Sequence, residues 1–291
     1  MVGPTASGKT HLALRAAERL GAEIVSADSR LVYRAMDIAT AKPTREERAR
    51  VPHHLIDVAD PGERYDAARY QREARAALDA IEARGRPALL VGGTGLYVRA
   101  VLDGLDLASV PTDPDVRARL EELAARGGEA ALRERLRGLD AAAEAAVPRG
   151  NVRRLVRYLE IAMLRGAVAS ARRRGEGIAS RRIGLAPPIA AIDERIVRRV
   201  RAMVDAGVLD ETRALVERGI DPRLPSMTAH GYVHWAAHLR GEISLDDAMD
   251  RTIRDTRAYA RRQMTWFRAD PRVEWVDPTE RDPLPLVAEA A

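Results

Sequence analysis

The sequence predicts an α/β protein in which helices flank a parallel sheet and an all-helical segment interrupts the alternation. Three observations carry this: short apolar runs that end in glycine-containing loops, helical apolar spacing between those runs, and a long stretch with no strand signal. Taken in order, residues 11–20 have helical spacing and are closed by Gly21. Glu23–Ser26 reads as a short strand, residues 55–58 as a second and residues 87–91 as a buried third that runs into Gly92-Gly93-Thr94-Gly95. Residues 65–84 and 96–102 read as helices, which gives β-loop-α units with ligands expected at the C-terminal ends of the strands. Between residues 111 and 180 only helical patterns remain, at 116–123, 130–139 and 152–164. The predicted organisation is therefore an α/β core made of 1–110 and 181–291, with 111–180 as a helical insertion.

The strongest motif lies at the start. Gly3-Pro4-Thr5-Ala6-Ser7-Gly8-Lys9-Thr10 matches G-x-x-x-x-G-K-[ST], a P-loop, so the sheet is expected to be P-loop NTPase-like. Glycines in such a loop let successive backbone N–H groups turn toward phosphate oxygens. Lys9 neutralises the phosphate, and the Thr10 hydroxyl is placed to hold Mg²⁺ at the positive end of the helix. Only Met1 and Val2 precede Gly3, so the strand that normally seats the loop is expected to be short or to begin upstream of this start.

Composition bounds the function. The chain has 291 residues, 46% of them hydrophobic, which is ample for a core. No long uncharged apolar run and no basic-then-apolar leader are present, so a cytoplasmic protein without membrane contact is expected. With no cysteine, disulfides, thiolate zinc sites and cysteine nucleophiles are excluded. The net charge of +5 is unevenly spread. Ten arginines against two glutamates fall between residues 149 and 182, and six against Asp255 between 251 and 268. Such an asymmetry suits a polyanion, RNA or DNA rather than a membrane, although solvated helix faces look the same by count. Of 48 basic residues only Lys9 and Lys42 are lysine, which nominates two places where a compact ammonium does what a planar guanidinium cannot.

Several residues carry two readings. Asp28 could cap a following helix or serve as a general base beside the P-loop, and Thr94 could cap a helix or aim its hydroxyl into the same cleft. His230, His234 and His238 stand at four-residue spacing and could hold a metal or form a neutral helix face. His53 and His54 are expected to be structural. Lys42 could approach diphosphate, contact RNA or pack a turn. The insertion could contact RNA or act as a lid, and its segment 170–180, with Arg172, Arg173 and Arg174, is expected to order on RNA.

Eight ordered segments resemble the tRNA dimethylallyltransferase (tRNA isopentenyltransferase) family: GPTASGKT at 3–10, SADSRLVYRAMDIATAKP at 26–43, HHLIDVADP at 53–61, LLVGGTGLY at 89–97, DPDVRARLE at 113–121, NVRRLVRYLEI at 151–161, LPSMTAHGYVHW at 224–235 and YARRQMTWFR at 259–268. The resemblance spans nearly the whole chain. It departs at residues 228–230, where the residues usual before Gly-Tyr are replaced, and at Arg261, where members commonly have lysine.

The resemblance implies a monomeric enzyme that takes dimethylallyl diphosphate and the tRNA anticodon stem-loop, with Mg²⁺ supporting the leaving group. The P-loop would bind the diphosphate, Asp28 would accept the proton of the adenine N6 amine, Thr94 would bond near the reacting centre, and Arg199 would meet the diphosphate. Contacts to tRNA would come from Asp28, Ser29, Arg30 and Leu31, from Thr94, from Arg117, and from Arg153, Arg154, Leu155, Val156 and Arg157. Gly231 and Tyr232 would add to them, as would Arg261, Arg262, Gln263, Trp266 and Arg268. Two rivals share parts of this pattern. A nucleotide kinase or ATPase should show an acid at the end of strand 87–91, where this chain has Gly92-Gly93-Thr94, and an adenylate isopentenyltransferase would need less of the basic insertion. A pure RNA-binding module leaves Lys9, Thr10 and Asp28 without a purpose.

Overall fold

A computed structural model describes residues 1–107, 110, 112–168, 175–228 and 230–289. The chain forms two compact units: Met1–Val98 together with Ala179–Ala291, and Arg99–Ile178.

In the first unit, α1 (Lys9–Leu20) is followed by β1 (Glu23–Ser26), α2 (Arg45–Arg50), β2 (His53–His54), α3 (Ala67–Glu82), β3 (Ala88–Val91) and the start of α4 (Gly95–Leu102). Three parallel strands lie in the order β2-β1-β3. After the helical unit, β4 (Arg182–Leu185) pairs in parallel with β5 (Val273–Val276). Val2 joins the two sheets, with parallel bridges to Gly92 on one side and Gly184 on the other. Its N–H donates to the Ile183 carbonyl at 2.8 Å and its carbonyl accepts from Leu185 N–H at 3.0 Å. The short strand expected ahead of the P-loop is thus one residue deep, yet it holds the central sheet position at which phosphate loops are seated.

The chain between residues 185 and 289 adds α8 (Ile189–Asp205), α9 (Val208–Glu217), α10 (Tyr232–Leu239), α11 (Leu245–Arg268) and α12 (Leu284–Ala288). On α8 the buried side chains Ile192, Ile196, Val200 and Met203 recur every three or four residues, the spacing of one helical face. The second unit is built from α5 (Pro114–Leu139), α6 (Ala141–Ala145) and α7 (Val152–Arg165), packed on Leu120, Leu132, Leu136, Leu155 and Leu159. The two helices expected at 116–123 and 130–139 are one element interrupted at Gly128, whose φ of 64° breaks the helix. The arginine run at 172–174 lies outside the described residues.

The second expected strand is corrected. Pairing with β1 falls on His53 and His54, not on residues 55–58. Leu55 and Asp57 have φ of 62° and 58°, left-handed values that no strand accommodates. The short apolar run of Leu55, Ile56 and Val58 imitates a strand. The Asp57 carboxylate, held by Lys42 and Arg48, fixes a loop in its place. Among the described residues, no helix is long and apolar enough to cross a membrane.

Candidate active site

The phosphate loop is shaped by conformations that its glycines permit. Gly3 has φ 144°, and a Cβ there would stand 2.7 Å from the Leu185 carbonyl oxygen. Gly8 takes φ 93° at the N-cap of α1 and supplies no side-chain cap, so the first-turn amides are left for a ligand. The Lys9 side chain folds back over this turn, where its Nζ donates to the Pro4 carbonyl at 2.5 Å and to Ser7 Oγ at 3.4 Å. From α8, Arg199 donates to Thr5 Oγ1 at 3.0 Å and Arg195 to the Ala6 carbonyl at 3.3 Å. Ser7, Gly8, His11, Arg195 and Arg199 line a pocket of about 620 Å³. Two guanidiniums and the N-terminus of α1 thus border one hollow, together with Arg15, Glu280 and Asp282, while the Lys9 ammonium is folded onto the phosphate loop itself.

The electrostatics agree. Burial brings the Lys9 ammonium down to about 7, against the pull of the Asp28 carboxylate and with the help of Arg199. Burial also lowers Arg199 from its ordinary value, again opposed by Asp28. Burial thus disfavours the charged forms of both groups, a cost that a bound polyanion relieves.

The second group of candidate residues lies at the ends of β1 and β3. Asp28 follows β1 in an extended turn, and its Oδ1 accepts from Arg30 N–H at 2.8 Å. No helix starts there, so Asp28 is not a helix cap. Thr94 follows β3, where its Oγ1 accepts from Ser29 N–H at 3.0 Å and lies 3.3 Å from Ser29 Oγ. The two loops meet closely because Gly92 is a glycine: a Cβ there would stand 2.2 Å from the Ala27 carbonyl oxygen. Asp28 acts electrostatically on Lys9, Arg199, Tyr70, Tyr97, His230 and Tyr259, so its charge lies within electrostatic reach of the phosphate loop.

Four of those neighbours, Tyr70, Tyr97, His230 and Tyr259, are absent from the sequence-predicted site. Burial and the Asp28 charge push the Tyr259 phenol up to about 12, while a hydrogen bond with Thr94 opposes them. Its position four residues before Gln263 on α11 is a periodic signal that could have found it. His230, in the turn before α10 at φ 53°, stands edge-on to Tyr259 with centroids 6.5 Å apart, and burial lowers it to about 4. Nothing in the pattern around it signals this. Tyr97 stacks on Tyr70 at 3.9 Å and forms an apolar wall. The histidine trio does not converge: His234 bonds Asp255, and His238 bonds the Ile243 carbonyl.

The remaining candidates separate into exposed and enclosed groups. Arg153, Arg261, Arg262 and Arg268 are exposed, as is Trp266 at 40%. Arg261 also pairs with Asp193 at 3.0 Å, and Arg154 lies over the Tyr158 ring. Arg30 donates to the Pro225 carbonyl, next to the half-buried Leu31. Arg117 and Arg157 both bind the fully buried Glu160 carboxylate. Leu155 and Val156 are core residues of the helical unit. Gly231 is buried, and so is Tyr232, whose hydroxyl donates to Glu211 at 2.7 Å. Gln263 is only 4% exposed. Thr10 is exposed on the first turn of α1.

Comparison with known proteins gives a single answer. A family model described as IPP transferase matches residues 31–270. A tRNA dimethylallyltransferase of Roseiflexus sp. (strain RS-1) is 50% identical over 94% of this chain and 90% of its own length. One from Anaeromyxobacter sp. (strain K) is 49% identical over 96% and 92%. Among solved structures, a full-length tRNA isopentenylpyrophosphate transferase of Bacillus halodurans superposes with a TM-score of 0.73 at 42% identity, covering 99% of this chain and 92% of that one. A eukaryotic dimethylallyltransferase acting on tRNA shares the fold at 21% identity, with a TM-score of 0.74. With a phosphate loop, a facing aspartate and full-length similarity of this order, the chain belongs to the IPP transferase family.

Proposed function

We propose that the chain transfers the dimethylallyl group of dimethylallyl diphosphate to N6 of the adenosine 3′-adjacent to the anticodon of tRNA, and releases diphosphate. The observation that carries this is the pairing of a cationic phosphate loop with Asp28, whose charge acts on Lys9 and Arg199. The tRNA specificity is supported by the names of relatives up to 50% identical to this chain.

In this reading the diphosphate occupies the hollow at Lys9, Arg195, Arg199 and the α1 amides. As the allylic C–O bond breaks, the electron pair leaves with the diphosphate oxygen, and these groups meet the developing charge. The adenine N6 lone pair forms the new C–N bond, and the N6 proton passes to the Asp28 carboxylate. Thr94 and Tyr259 stand beside that carboxylate and can orient the amine. Tyr70 and Tyr97 exclude water from the allyl group.

The phosphate loop also fits Mg²⁺. Thr10 offers an exposed hydroxyl oxygen at the positive end of α1, and among the described residues there is no cluster of three ionisable metal ligands. Diphosphate oxygens and water would complete the octahedron, which is how Mg²⁺ is commonly held. When bound, the ion supplies charge neutralisation to the leaving group. Swinging the adenine out of its stack costs a few kcal/mol, which phosphate contacts from exposed arginines such as Arg153, Arg262 and Arg268 offset.

The test is incorporation of labelled dimethylallyl diphosphate with Mg²⁺ into unmodified tRNA or AMP. Label in tRNA is expected, and label only in AMP would overturn the tRNA assignment. Asp28→Ala should lower turnover about 100-fold or more while leaving tRNA affinity within about twofold. Unchanged turnover would remove Asp28 as the base.

A further inference from the structure

The sequence places Gln263 in a segment expected to face RNA, but its side chain lies between two loops of the active site. Its Oε1 accepts from the backbone N–H of Thr5 at 2.8 Å, and its Nε2 donates to the carbonyl of Gly93 at 2.9 Å. Thr5 belongs to the phosphate loop, and Gly93 directly precedes Thr94. One rigid, planar amide therefore spans the loop that holds the leaving group and the loop that lines the acceptor side.

The fit is specific in three respects. The bridge needs an acceptor at one end and a donor at the other, which among side chains of this length only glutamine supplies. Glutamate would set an oxygen against the Gly93 carbonyl, and asparagine is one methylene short. Gly93 leaves room for the amide, since a Cβ there would lie 2.1 Å from Nε2. Four residues earlier on α11, Tyr259 hydrogen-bonds Thr94, so the same helix face meets the phosphate loop through Gln263 and the Thr94 loop through both residues. Loss of the bridge orphans a half-buried N–H and a buried carbonyl and frees the loops to drift apart.

We propose that Gln263 is a positioning residue that sets the separation between the diphosphate loop and the Thr94 loop. This rests on the transfer reaction proposed above. A displacement of the order of 1 Å between reacting groups costs up to about 100-fold in rate. The expected cost is therefore kinetic and not in RNA affinity.

The experiment compares the full chain with Gln263→Leu, Gln263→Glu and Gly93→Ala, after thermal melting has identified the variants that fold. Inorganic pyrophosphate is titrated by calorimetry without RNA, kcat and KM are measured with tRNA, and the Kd for tRNA is measured separately. Gln263→Leu should weaken pyrophosphate about fivefold and lower kcat roughly 30-fold, with tRNA Kd within about twofold. Gln263→Glu keeps the Thr5 contact and should fall between. Gly93→Ala displaces the amide without altering it and should reproduce Gln263→Leu. Wild-type kcat and pyrophosphate affinity in Gln263→Leu or Gly93→Ala would overturn the proposal, as would a loss confined to tRNA Kd. A wild-type protein that transfers no allyl group counts against the reaction, whereas pyrophosphate binding reads the clamp by itself.

Discussion

The two lysines of this arginine-rich chain occupy opposite electrostatic situations. Lys42 is closed in: its side chain is 2% exposed, and its ammonium donates to the Tyr33 carbonyl at 2.8 Å, to Asp37 at 2.5 Å and to Asp57 at 2.6 Å. Three donors meet three oxygens, two of them carboxylate, an arrangement that a point-like ammonium satisfies and a flat guanidinium does not. Among the described residues, Lys9 has no carboxylate partner in hydrogen-bond contact. It bonds a carbonyl and a hydroxyl, and burial brings it to about 7. One lysine completes a loop, and the other, in the proposed reaction, meets the diphosphate. The identity of the residue tells neither role, but its counter-charge does.

This contrast can be broken at each end. The largest effect is expected at Lys9: Lys9→Met should lower kcat/KM for dimethylallyl diphosphate by about 1000-fold with the melting temperature held, because the charge acts on the departing diphosphate. A variant that melts early and keeps its kinetics would reverse the roles. Lys42→Met should cost about 3 kcal/mol in urea unfolding, since it leaves two carboxylates and a carbonyl without their common donor. Its folded fraction should turn over within about tenfold of wild type. Full stability with lost transfer would instead make Lys42 a ligand group.

The smallest and most graded effect separates the arginines by the same criterion. Arg153 is exposed on α7, whereas Arg117 pairs with the buried Glu160. Arg153→Gln should reduce the slope of log K against log salt for tRNA by about 1. Arg117→Gln should leave that slope and lower stability, because burial raises the Glu160 carboxyl and the bonds from Arg117, Arg157 and the Asp113 amide outweigh it. With that carboxyl held below its ordinary range, the stabilisation is present near neutral pH and is lost as pH falls through the lowered value. Equal slopes for Arg153→Gln and wild type would take α7 out of the RNA contact.

These cases also mark how far the sequence could be read. The P-loop, Asp28 and Thr94 were legible because phosphate binding constrains glycine and lysine spacing, and the apolar strands lead into them. β2 was misplaced because Leu55, Ile56 and Val58 make a short apolar run, while the feature that bends the chain is Asp57 reaching Lys42, fifteen residues back. Charge counting found both arginine-rich stretches, but it could not show that Arg157 is spent on Glu160, because pairing is a property of packing. Tyr232 and Gln263 stood in segments expected to face RNA and are buried on Glu211 and on two backbone groups, respectively. His230 joins the cleft through a single left-handed turn that no periodicity announces.

Since the chain contains two lysines, Nζ-selective ¹⁵N labelling yields two side-chain resonances. A pH titration of both, with and without inorganic pyrophosphate, tests the contrast directly. The account predicts that Lys9 titrates near 7 in the free protein and moves well toward the ordinary lysine value when pyrophosphate binds, while the Lys42 signal is unmoved by the ligand. A Lys9 signal insensitive to pyrophosphate, or a ligand response at Lys42 in its place, would contradict it.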